Sequence, residues 1–170
     1  MKNYIMLFIS IIILTSCSSL KTLEMSSLYS STTHQQKDIE GDYVIKSFVL
    51  YKNVSPWIAD NHIITIDKII KKNNESACFI TVHYIGTEWE FIDKLAINID
   101  GSIFSFKDNN PSREILNGGV SERIMILLDD DLVNKIDIGK SLVMQYYSKY
   151  KTEPIEIPDD GLVALKEFLK

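Results

Sequence analysis

Apolar residues recur along this chain in short runs of strand length. Tyr43 to Tyr51, His62 to Ile70 and Cys78 to Tyr84 are rich in Ile, Val, Phe and Tyr, whose branched or planar side chains suit a pleated surface. In the second run Ile64, Ile66 and Ile70 share one face, which Lys68 interrupts. The polar stretch Lys71-Lys72-Asn73-Asn74-Glu75-Ser76 then separates it from the third run, as a hairpin loop would. Lys94 to Phe106 predicts the best-defined hairpin. Asp100-Gly101 suits a type I′ turn, in which both central residues need positive φ. A two-residue turn there sets Ile97 opposite Phe104 and Leu95 opposite Phe106 on one apolar face, with Ala96, Asn98 and Ser105 on the other. Further strands are expected at Ser121 to Leu128, Ser141 to Tyr147 and Ile155 to Ile157.

The period changes twice near the C-terminus. Asp129-Asp130-Asp131 precedes Leu132, Val133 and Ile136 and is followed by Gly139, which predicts a short helix near 130–138. Leu162, Leu165, Phe168 and Leu169 form the apolar stripe of a closing helix near 159–169, with Asp159 as the expected cap and Lys166 and Lys170 near its negative end. Strands with helices only at scattered points exclude a doubly wound fold. The expectation is a mainly β (α+β) domain spanning 38–170, an antiparallel β-sandwich or barrel-like sheet with two helical additions. Asn117-Gly118-Gly119 reads as a turn, because the strand, helix and Lys of a phosphate loop are missing around it.

The first residues follow a different pattern. Met1-Lys2-Asn3 gives a short positive start, and Tyr4 to Leu14 is apolar apart from Ser10. That core is too short to span a bilayer, which takes about 20 apolar residues, and fits a cleaved export leader. Its end, Leu14-Thr15-Ser16-Cys17, resembles the lipobox of bacterial lipoproteins. The resemblance implies a signal peptide over 1–16, a diacylglyceryl thioether on Cys17 and an acyl group such as palmitate on its amino nitrogen. It implies membrane attachment in the cell envelope, and in a Gram-negative cell Ser18 and Ser19 after the cysteine imply the outer membrane. Several acyl chains anchor stably where one does not. Residues 17–37 are read as the lipidated cysteine and a flexible tether, since Ser and Thr make up about half of Ser18 to His34 and offer little apolar surface against ordering entropy.

Charge narrows the partners. The chain carries a net charge of −5, and losing Lys2 with the leader makes it more acidic. Its charges are interspersed, without the basic stripe of a nucleic-acid binder or a polybasic membrane module. With Cys17 taken by lipid, Cys78 stands alone, so no intramolecular disulfide is expected and the thiol reads as a small buried hydrophobe.

Candidate chemistry is sparse, and neither a metal nor a cofactor is called for. The Asp129–Asp131 run lacks the ligand spacing of a calcium loop, and Asp108-Asn109-Asn110-Pro111 reads as a turn. His34, His62 and His83 lack zinc-ligand spacing, although pairing of their strands would bring His62 and His83 near each other. Glu88 and Glu90 flank Trp89, and on a strand both carboxylates would share one face, as glycoside hydrolysis would require. Trp57, in the apparent loop Ser55-Pro56-Trp57, and Trp89 are the candidate binding aromatics, with Tyr84, Tyr146, Tyr147 and Tyr150 as further rings. The leading functional expectation is a non-enzymatic, lipid-anchored module that binds an envelope protein or small ligand, or serves in structure and assembly. The alternative is an envelope hydrolase acting on cell-wall glycan through Glu88 and Glu90.

Overall fold

The computed structural model describes residues 27–38, 41–54, 60–73, 75–150 and 152–170. The leader, Cys17 and the candidate Trp57 lie outside the described residues. Among the described residues ten strands and two helices follow in the order β1 (Ser31–Asp38), β2 (Gly41–Asn53), β3 (Asn61–Lys71), β4 (Ser76–Gly86), β5 (Lys94–Ile99), β6 (Ser102–Lys107), β7 (Ser112–Leu116), β8 (Gly119–Leu128), α1 (Asp130–Ile138), β9 (Leu142–Tyr147), β10 (Ile155–Ile157) and α2 (Asp159–Leu169). They form a six-stranded sheet in the order β1-β2-β3-β4-β8-β7 and a four-stranded sheet in the order β10-β9-β5-β6. Every pairing is antiparallel. The expectation of a β-rich sandwich holds, and neither sheet closes into a barrel.

Alternation explains the core. Ile64 and Ile66 of β3, Ile80 and Val82 of β4, and Ile124 and Ile126 of β8 occupy one face of the large sheet. Leu95 and Ile97 of β5 and Met144 of β9 join them in one buried cluster, closed by Leu132 and Ile136 of α1 and Leu162 and Leu165 of α2. Each such side chain contributes about 1.5–3 kcal/mol when fully buried. The β5–β6 hairpin has the expected register, with Leu95 opposite Phe106 and Ile97 opposite Phe104. Its turn residues Asp100 and Gly101 take φ of 50° and 87°, as a type I′ turn requires. The other face of the large sheet carries Tyr43, Ile45, Ile69 and Phe79. It also carries a polar knot in which Asp67 accepts from Thr65 (3.1 Å) and Thr81 (2.6 Å).

Several expectations are corrected. Residues 31–37, assigned to the tether, form with Asp38 a full edge strand in register with β2 from Ser31 opposite Phe48 to Asp38 opposite Gly41. Main-chain hydrogen bonds hold it, so it needs no apolar alternation to be a strand. Order begins before it: Tyr29 N–H donates to the Val49 carbonyl, and the Tyr29 ring packs on Gly161 of α2 so closely that a Cβ there would lie 2.6 Å from it. Strand β7, unmarked by any apolar run, pairs with β8 across the turn at Asn117-Gly118. Asp129 caps α1 by accepting from Leu132 N–H at 2.8 Å, but Asp159 does not cap α2. That position is taken by Pro158, without a side-chain bond.

Candidate functional site

Strand β8 points Val120, Glu122, Ile124 and Ile126 to the same face. A carboxylate in that file must find several donors, because an uncompensated buried charge is costly. Glu122, fully buried, finds them in the connection between β4 and β5. One oxygen accepts the N–H groups of Glu90 and Phe91, the latter at 2.9 Å, and the other accepts Ile92 N–H at 3.1 Å and Arg113 Nε at 3.1 Å. Arg113 also donates to the Ile92 carbonyl at 3.3 Å. Three successive N–H groups converging on one anion make a backbone nest. Here the anion is a side chain of the same chain, so the nest fixes the loop.

The fixed loop presents aromatic rings. Phe91 has φ of 59°, a conformation a bulky residue rarely takes, and its side chain is 53% exposed. The Trp89 ring lies 6.5 Å from it, and the Arg113 guanidinium sits 5.4 Å over it. The segment between β4 and β5 is not a strand, which corrects the expectation that Glu88 and Glu90 share a strand face. Glu88 points to solvent, where Lys149 Nζ approaches it at 3.5 Å and Tyr150 donates to it at 3.2 Å. Glu90 turns inward. The two carboxylates thus face different surroundings.

Beneath the loop, Glu90 Oε2 lies 3.1 Å from Nε2 of His62, each residue more than nine-tenths buried. The approach is out of line for a hydrogen bond, and neither atom has another bonding partner among the described residues. His62 is held between the rings of Tyr84 and Tyr146, with centroids 4.9 and 5.2 Å away. The Tyr84 hydroxyl lies 2.9 Å from both Asp60 Oδ1 and the Glu88 carbonyl. Burial, then Asp60, Glu90 and Glu122, push its phenol well up; burial followed by Glu90 and Tyr51 does the same for Tyr146. Both phenols stay protonated. Gly86 is needed nearby, since a Cβ there would fall 2.5 Å from Asp60 Oδ1 and closer still to Tyr84.

The strands of His62 and His83 do pair, with His62 opposite Tyr84 and Ile63 opposite His83. That register puts the two histidines on opposite faces of the sheet. His83 contacts Ser121 Oγ at 3.0 Å, and burial, with Arg123 beside it, pushes its pKa down to about 3. Cys78 is half-buried, and burial raises its thiol pKa. Among the described residues no three His, Cys, Asp or Glu side chains converge as metal ligands, and no helix is long and apolar enough to cross a membrane.

Sequence reasoning singled out Trp89, Glu88 and Glu90, which the structure places in one loop, and did not connect them with Glu122, Arg113, Phe91, His62 and Asp60. The available signal was Glu122 itself, a carboxylate in an inward file of apolar residues.

No protein-family model matches the chain, and no curated protein matches it. Among solved structures it is similar to one described as invasion associated protein B from Bartonella henselae, at 9% identity and a TM-score of 0.43, over 85% of this chain and 92% of that one.

Proposed function

We propose that this chain is a lipid-anchored protein of the bacterial envelope whose β-domain is a non-enzymatic binding module, with the loop 88–92 as its contact surface. The observation that carries the binding assignment is the loop itself. A fully buried carboxylate, three main-chain donors and an arginine hold a half-exposed phenylalanine in a strained backbone conformation. Such strain persists only where the surroundings over-determine it, and it concentrates at functional positions. The anchor is supported by Leu14-Thr15-Ser16-Cys17 at the end of a short apolar leader. Glycan hydrolysis draws no support from the geometry, because Glu88 is engaged with Lys149 and Tyr150 at the surface while Glu90 is buried against His62.

The test is a photo-reactive amino acid at position 91 of the full-length protein in cells, with Cys17→Ala as the unanchored control. A discrete adduct that forms in the anchored chain and disappears in the control is expected. An adduct yield no higher than that from the same group at exposed Ile103 would overturn the assignment of the contact surface. Incorporation of labelled palmitate, lost on Cys17→Ala, checks the anchor separately.

A further inference from the structure

Four aromatic residues gather at the loop end of the domain. Phe91 and Tyr150 are about half exposed, Tyr147 somewhat less, and Trp89 is partly buried beside Phe91. They are tied together, since Lys149 N–H donates to the Glu90 carbonyl at 2.7 Å and the Tyr150 hydroxyl to Glu88. Three of the rings carry a long basic side chain: Arg113 over Phe91, Lys94 4.7 Å from the centre of Tyr147, and Lys149 4.7 Å from that of Tyr150. Carboxylates offset two of these three cations, Glu122 pairing with Arg113 and Glu88 with Lys149, and Asp93 pairs with nearby Lys107 at 3.4 Å, which leaves Lys94 as the patch's one excess positive charge. The patch is therefore aromatic and close to neutral.

Ten residue steps separate Cys17 from Ser27, the first described residue. Fully extended they reach at most about 35 Å. A domain of this size is itself roughly 35–40 Å across. A domain tied by so short a link stays within its own diameter of the bilayer, so one of its faces meets the lipid surface repeatedly. Rings with a polar tip, flanked by side chains whose apolar stems lie along them and whose charged ends reach water, match the chemistry of the membrane–water interface.

We propose that the ring cluster Trp89, Phe91, Tyr147 and Tyr150 seats this domain on a phospholipid bilayer interface, with Phe91 entering the headgroup layer. The proposal names the partner of the contact surface assigned above and rests on anchoring through Cys17. Because the patch carries only about one excess positive charge, binding depends mainly on the rings and little on lipid charge.

The test uses the full-length protein, produced with its leader, purified and reconstituted in vesicles of phosphatidylethanolamine and phosphatidylglycerol at a ratio of about 3:1. In a Cys78→Ala background, an environment-sensitive dye is attached at Phe91→Cys or, for comparison, at Ile103→Cys on the far part of the β5–β6 hairpin. A blue shift and quenching by bilayer nitroxides at position 91 but not at 103 are expected, with less than a twofold change between 50 and 500 mM salt. As a second reading, the Trp57→Phe chain leaves Trp89 as the sole indole, and brominated lipids are expected to quench it. Mass spectrometry of the same preparations reports lipid on Cys17. Lipid present with no shift at 91 and no Trp89 quenching would overturn this proposal and leave the anchor standing, as would equal shifts at 91 and 103. An unlipidated Cys17 would overturn both.

Discussion

Glu122 sits where the alternation of β8 calls for an apolar residue, and every oxygen lone pair it directs inward meets a donor. Glu122→Ala would strand three main-chain N–H groups and the Arg113 guanidinium, so a loss of about 3–5 kcal/mol is expected from urea unfolding. Glu122→Gln keeps one acceptor oxygen and should lose less. A cost under about 1 kcal/mol for the alanine variant would show that water replaces the carboxylate. His83 gives a pH prediction. It is neutral in the fold down to about pH 3 but titrates near its ordinary value of about 6.5 when unfolded. Between those values the unfolded chain binds more protons, so acid favours unfolding, with a slope approaching about 1.4 kcal/mol per pH unit. Asp67 acts in the opposite sense, because burial raises its pKa and the folded form takes up a proton first. Comparing wild type with His83→Gln by thermal unfolding from pH 7 to 4.5 separates the two, and the variant is expected to lose less stability on acidification. At this scale the sequence points to Trp89 and its two glutamates for a reason the structure replaces. Their loop is held at residues 90–92 by Glu122, some thirty residues away on β8, and no local pattern encodes that contact.

The two helices test how far end signals can be read. Asp129 bonds Leu132 N–H, whereas Pro158 precedes α2 and leaves its first turn without a side-chain cap. Asp129→Ala is therefore expected to cost about 1 kcal/mol and Asp159→Ala only a few tenths, measured as denaturation midpoints. Equal costs would contradict this capping scheme. Elements with an apolar face were legible: both helix spans, the β5–β6 register and the three long strands of the large sheet follow from alternation and turn chemistry. Strands β1 and β7 were not. Both lie at sheet edges, where main-chain pairing to a single neighbour suffices, and Ser-Thr-Thr-His-Gln-Gln-Lys-Asp carries the composition of a linker. Composition reports what a segment can bury, and β1 buries little.

For the whole molecule, β1 carries the described fold back to Tyr29 at least, ahead of the expected start at Asp38. A chain begun at Asp38 would bare the outer edge of β2, a long strand with a row of unpaired main-chain groups that invites pairing with another molecule. Light scattering coupled to size exclusion is expected to show oligomers for that chain and a monomer for one begun at Ser27. A monomer in both cases would mean that β1 is dispensable. The same strand has a mechanical meaning. If the chain is anchored at Cys17 as proposed, a pull on the anchor reaches β1 before any other described strand. That strand has one neighbour and no large apolar side chain of its own, so under tension it parts from β2 before the sandwich core is strained. Under that anchoring β1 would act as a fuse: tension would open one edge of the sheet and lengthen the reach from the anchor by the span of a strand, while the rest of the domain stays folded.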